Sequence, residues 1–166
     1  MNHKGQFFSP DLIIAVLVFV VCLTFFFMGS ASITSQINFV EEKNSVDEVA
    51  HAVMSGLILS SGSPYNWEAI NLSDVNVFGL VESKNVLNNE KVNALFYFID
   101  SDYTETKTKL GLGGYDFKLE LIDFNGEIIF ESTRDFNESF FELSYDRFVL
   151  YNNRETILRG IIAYEK

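Results

Sequence analysis

The strongest pattern in the chain is an uninterrupted apolar run from Leu12 to Met28, LIIAVLVFVVCLTFFFM, in which Thr24 carries the only hydroxyl and no side chain is charged. Its seventeen residues lie at the short end of what a helix needs to cross ~30 Å of hydrocarbon, and the uncharged stretch continues to Val40. A membrane span over about residues 12–30 is therefore the first element predicted. Ser9, Pro10 and Asp11 read as its start. Ser caps, Pro fits the first helical position, where its missing N–H is no loss, and Asp meets the positive helix end. Beyond the span, helical spacing persists in Ile33, Ile37 and Val40 and resumes after the polar stretch 41–45 with Val46, Val49, Ala50, Val53 and Leu57. No proline occurs between Asp11 and Pro64. One helix from Pro10 to about Leu59 follows, ~75 Å long at 1.5 Å per residue. Its first half is apolar all round and its second half has a single apolar stripe. Ser60-Ser61-Gly62-Ser63-Pro64 ends it.

Further along, Asn88 or Asn89 caps a short helix whose stripe is Val92, Leu95, Phe96 and Ile99. Residues Asp100 to Asp102 end or re-cap it, and a second short helix spans Tyr103 to Leu110 before Gly111, Gly113 and Gly114. From Tyr115 the period becomes two: Tyr115, Phe117, Leu119 and Leu121 alternate with Asp116, Lys118 and Glu120, as in a strand with one polar face. Asp123-Phe124-Asn125-Gly126 is a turn leading to a second strand over 127–132. Phe141 to Tyr151 and Thr156 to Tyr164 form a third and a fourth strand about an Asn152-Asn153 turn. The predicted class is α+β: a long N-terminal hydrophobic helix with its lower half transmembrane, then a small head over 60–166 with short helices and an antiparallel sheet of about four strands.

Charge sharpens this division. The net charge is −11, yet only Asp11 among 23 acids and only Lys4 among 12 Lys and Arg precede residue 40. So acidic a head repels phosphate backbones, which argues against nucleic acid as a partner. His3 and Lys4 before the span and Glu41 and Glu42 after it orient the N-terminus inward and the C-terminal domain outward, as a single-pass membrane protein with an extracellular head. Cys22, the only cysteine, excludes a disulfide within the chain. With two histidines, His3 and His51, no zinc site, Cys-His pair or Ser-His-Asp array suggests itself, and no catalytic residue, metal ligand or cofactor is expected. The glycines at 111–114 lack the Lys-Ser/Thr of a phosphate loop, and Asp123, Asn125 and Glu127 lack the remaining ligands of a calcium loop. Trp67 reads as a packing anchor for the loop after the long helix. Sequons at Asn71-Leu72-Ser73 and Asn137-Glu138-Ser139 offer glycosylation sites on an extracellular domain.

The N-terminus admits three readings. Gly29-Ser30-Ala31 could serve as the cleavage site of a secretory signal, and an uncleaved anchor is the plain alternative. The third rests on Lys4-Gly5-Gln6, then Asp11, then the apolar stretch, which together resemble the class III (prepilin-type) leader of archaeal type IV pilin-like proteins. The turn SSGSPYNWE, the segment VLNNEKVNAL and the strands YDFKLELID and YDRFVLYNNRETILRGIIAY resemble the same family. The resemblance implies a leader over residues 1–5, cut by a leader peptidase between Gly5 and Gln6, with the long helix 6–59 kept on the mature protein. Asp11 is then the sixth mature residue, one past the family's usual acidic fifth. A carboxylate among apolar helices needs a cation, and the Gln6 amine of a neighbour or of its own chain supplies one.

The function this implies is a structural subunit of a pilus-like surface filament, a minor pilin or pilin-like protein without enzymatic activity. It would assemble with other pilin-like subunits as Asp11, Ile13, Val16, Leu17 and Val20 exchange lipid contacts for helix contacts. The alternative is a monomeric single-span protein whose acidic extracellular domain binds a ligand.

Overall fold

The computed structural model describes residues 10–133, 136 and 141–164. Helix α1 runs Pro10–Leu59, as the spacing predicts. The chain forms two compact units, Met1–Lys43 and Asn44–Lys166, whose boundary falls within this helix.

In the first unit, α1 exposes its large apolar side chains from Leu12 to Met28, all but the half-buried Leu23. Its hydroxyls are satisfied locally: Thr24 Oγ1 donates to the Val20 carbonyl at 2.8 Å and Ser30 Oγ to that of Phe26 at 2.9 Å.

The second unit is built around a sheet. Strands β1 (Val81–Ser83), β2 (Val86–Leu87), β3 (Asp116–Asp123), β4 (Ile128–Glu131), β5 (Phe141–Tyr151) and β6 (Arg154–Tyr164) lie in the order β1-β2-β5-β6-β3-β4. The expected four antiparallel strands are thus corrected to six in a mixed sheet, because β2 runs parallel to β5. The added pair, β1 and β2, is a hairpin turned at Lys84-Asn85, with Asn85 at φ 60°. Asparagine tolerates that left-handed conformation better than most residues. The Asn152-Asn153 turn between β5 and β6 uses the same device twice, at φ 51° and 60°.

The short helices start where the sequence places them. Asn88 accepts from the Glu90 and Lys91 backbone N–H groups to cap α2 (Asn89–Ser101), and Asp102 accepts from Glu105 N–H to cap α3 (Tyr103–Leu110). The α2 stripe Val92, Leu95, Phe96 and Ile99 is buried, as are Val46, Ala50, Val53, Met54 and Leu57 of α1. These meet Phe117, Leu119, Leu121, Leu158 and Ile162 of the sheet in one core. Gly160 lets α1 come this close, since a Cβ there would overlap Met54 Sδ.

The polar face predicted for β3 is far less open than alternation suggests: Asp116 and Glu120 are buried. Groups on β3 itself, on the adjoining strands and on α3 supply the reason. Lys118 reaches Glu131 at 2.6 Å and Glu120 at 3.5 Å, while Arg159 lies 3.8 Å from Glu120. Asp116 takes Lys107 at 2.9 Å and the Tyr103 hydroxyl at 3.0 Å. These cations offset the cost of burying the carboxylates.

Candidate functional site

The residue types that mark a function here are apolar, and the structure gathers them on one element. Pro10–Ser30 is a 21-residue helical window long and apolar enough to cross a membrane, and none of it is buried. That composition and length suit a membrane anchor or a signal sequence. Ile13, Val16, Leu17 and Val20 follow the three- and four-residue spacing that puts them on one face, all more than half exposed. Asp11 lies in the first helical turn and is exposed. At 100° per residue it sits roughly 180° around the helix from Val20, so the two lie on opposite sides of α1. With both hydroxyls bonded to the preceding turn, the window presents side chains that hydrocarbon or a second helix accepts without stranding a donor.

In the head, the loop after α1 is held by two buried side chains. Trp67 is fully buried, and its indole N–H donates to the Gly79 carbonyl at 3.0 Å and the Ser61 carbonyl at 3.2 Å. Gly62, at φ 83°, leaves the space that this ring fills. The anchoring role expected of Trp67 is what the structure displays. Lys91, only 2% exposed, donates to the Ser61 and Tyr65 carbonyls at 2.5 and 2.8 Å, lies 4.4 Å from the Tyr65 ring centre and 4.0 Å from Glu68. Sequence reasoning passed over Lys91. The only available signal was a lysine in the first turn of an amphipathic helix, which ordinarily faces water.

The outer face of the sheet carries a row of charges across four strands. Asp146 on β5 takes Arg159 in a bidentate pair at 2.8 and 2.9 Å, and Arg159 stands in register with Glu120, which stands opposite Glu131. The guanidinium holds the Asp146 carboxyl below the usual carboxylate range, and the carboxylate in turn raises Arg159. Beside α1, burial first and a hydrogen bond to Asp47 second push the Tyr145 phenol upward. Asp123 is held low by backbone N–H groups, Glu127 foremost, in the turn predicted at 123–126.

Most of these groups are paired, while buried Glu68 Oε2 makes no hydrogen bond among the described residues. One groove of about 660 Å³ includes Glu68, Asn71, Asn93, Tyr97, Asp102 and Glu105. There Asp102 caps α3, Glu105 faces Lys109 at 3.7 Å and Glu68 faces Lys91. His51 is exposed on α1 with Nδ1 3.3 Å from the Ser55 hydroxyl. Among the described residues no group of three His, Cys, Asp or Glu could hold a metal ion. Asn71 is exposed at the start of a 3-10 turn, Leu72–Asp74, where its side-chain amide is accessible. Gly5, Gln6 and Asn137 lie outside the described residues.

Neither a family model, nor a curated protein, nor a solved structure matches this chain.

Proposed function

We propose that the chain is a structural subunit, a minor pilin or pilin-like protein, of an archaeal type IV pilus-like surface filament. The observation that carries this reading is the exposed apolar window Pro10–Ser30 on a helix that continues unbroken to Leu59. A helix apolar on every side needs lipid or other helices around it. Residues from Val46 onward, by contrast, belong to a folded core. In this reading the leader is removed between Gly5 and Gln6 and the head faces the cell exterior. Ile13, Val16, Leu17 and Val20 pack against neighbouring subunits, while Asp11, on the opposite side, meets the amine of a different neighbour. No chemical step is assigned to the head.

Sequencing the N-terminus of the native protein tests this directly. The expected first residue is Gln6, and recovery of the chain with Met1 intact from cells that cleave other prepilins overturns it. Cysteines introduced along Leu12 to Val40 separate the filament from a lone membrane-anchored binding domain. A subunit gives a ladder of helix-to-helix disulfides, and a monomer gives none.

A further inference from the structure

The chain holds one Asn-Gly pair, Asn125-Gly126, in the turn that joins β3 to β4. Asparagine followed by glycine readily loses its side-chain amide, because glycine has no Cβ to shield the nitrogen that attacks. The Gly126 nitrogen gives up its proton and bonds to Asn125 Cγ; the Cγ–Nδ2 bond breaks, and Nδ2 leaves with that proton as ammonia. The five-membered imide then takes up one water. Opening at the side-chain carbonyl gives aspartate, and opening at the backbone carbonyl gives isoaspartate.

Two things must happen before that bond forms. The Gly126 N–H must come free, and the Asn125 carboxamide must swing back over its own C-terminal peptide. Asp123 opposes both. Its carbonyl accepts from the Gly126 N–H at 3.1 Å. Its carboxylate accepts from the Asn125 backbone N–H at 2.8 Å and from Asn125 Nδ2, the departing nitrogen, at 3.0 Å. A carboxylate only accepts, so the group it holds on the Asn125 side chain is the nitrogen. The pair is also fenced in by its neighbours: the Glu127 N–H donates to Asp123 Oδ1, and the Asp123 N–H to the Glu127 carbonyl, each at 2.8 Å. A carboxylate beside an Asn-Gly pair can act instead as the base that takes the glycine proton. Here both its oxygens are engaged by Asn125 and Glu127, and the Gly126 N–H faces the Asp123 carbonyl.

We propose that Asn125 is the deamidation site of this head and that Asp123 sets its rate, holding the amide in place while the β3–β4 hairpin is closed and releasing it when the hairpin opens. Either product then acts on the hairpin. Aspartate at this position sets a second carboxylate against Asp123 where Nδ2 now sits, and isoaspartate adds a carbon to the main chain between β3 and β4. Both loosen a turn whose Phe124 ring lies 6.2 Å from that of Phe148 and which positions the four-residue edge strand β4. The conversion is one-way, so the turn keeps a record of its openings. Membrane insertion and subunit assembly play no part in it, and it stands whether or not the chain enters a filament.

The test incubates the full chain in detergent micelles at mildly alkaline pH. Peptide mass spectrometry reads conversion of Asn125 to aspartate and isoaspartate, and Trp67 fluorescence reports folding. Asp123→Asn keeps an oxygen for the backbone N–H groups but no longer offers a carboxylate to Nδ2. Losing that one charge-assisted hydrogen bond should speed conversion in folded protein about tenfold. Asp123→Ala gives up every side-chain bond in the turn and should approach the rate of the parent chain unfolded in urea. Urea below the unfolding transition favours opening, so it should speed the parent chain and leave Asp123→Ala nearly unchanged. A general loss of stability would not produce that contrast. Should Asp123→Ala fail to fold, Asp123→Asn decides. Conversion in the folded parent as fast as in urea, or a folded Asp123 variant no faster than the parent, would overturn the proposal. So would an Asp123→Asn chain slower than the parent, the result expected of a carboxylate acting as base.

Discussion

The two halves of α1 share one backbone conformation and meet different surroundings. From Val46 on, a single stripe at 46, 50, 53, 54 and 57 is buried, and Asp47, Glu48, His51 and Ser55 lie off it. From Leu12 to Met28, thirteen of the fourteen large apolar side chains are exposed, on all sides of the helix, and Leu23 is half-buried. The upper half finds its complement in β3 and β6 of the same chain. The lower half has to find it elsewhere. At about 1.5–3 kcal/mol for each side chain fully buried, lipid or neighbouring helices supply on the order of 20 kcal/mol that the isolated chain forgoes. Helix propensity alone does not distinguish the halves; the width of the apolar stripe does.

A charge placed in each half breaks the comparison at its strongest point. Ala50, fully buried, replaced by Asp strands a carboxylate in the core and should cost about 3–5 kcal/mol of head stability. The single tryptophan, Trp67, reports this by fluorescence during urea unfolding. The matching change in the lower half, Leu17→Arg, should leave that unfolding curve in place. Its cost, about 2.5–3.5 kcal/mol, falls on insertion and appears as protein released from membranes by alkaline carbonate. If Leu17→Arg shifted the fluorescence midpoint as far as Ala50→Asp does, the division of the helix into two independent solvents would fail.

A smaller effect tests how tightly the upper half is fitted. Gly160→Ala inserts a methyl group where Met54 Sδ already sits. Overpacking of this kind typically costs 1–3 kcal/mol, here at the low end because a methionine side chain can shift. Met54→Ala in the same chain should recover part of the loss, and the absence of any coupling between the two would show that the contact does not set the helix-to-sheet distance.

Periodicity and caps made most of this architecture legible before any coordinates. The C-terminal end of α1, the capping residues Asn88 and Asp102, and the long strands β5 and β6 lie where spacing and turn chemistry place them. What escaped was decided by contacts distant in sequence. Strands β1 and β2 are too short to show a period of two and are held by an Asn85 turn and by β5, more than fifty residues on. Glu120 looks solvent-facing by alternation and is covered by Lys118 and by Arg159 from the adjoining strand. Lys91 looks like a surface lysine and is consumed by carbonyls 26 and 30 residues earlier. The candidate site has the reverse character. Its residues are evident from the sequence because they are apolar without interruption, and the structure leaves the window unburied.

The smallest expected effect concerns the polar counterpart of the helix, the charge row on the outer sheet face. The Asp146–Arg159 pair is bidentate but more than a third exposed on both sides, so solvent screening limits it to ~1 kcal/mol or less. Because the folded carboxyl titrates below its unfolded value near 3.9, the pair stabilises the head fully at pH above that value. The contribution fades as pH falls through the lower, folded value. Asp146→Asn should therefore lower the urea midpoint slightly at pH 7, and the gap to the parent chain should close in acid well below pH 4. A gap that stayed constant across this range would mean that shape and hydrogen bonding, rather than charge, carry Asp146's part in the head. That outcome would leave the apolar patterning of α1 as the only one of the two surfaces whose energetics follow from its side-chain chemistry.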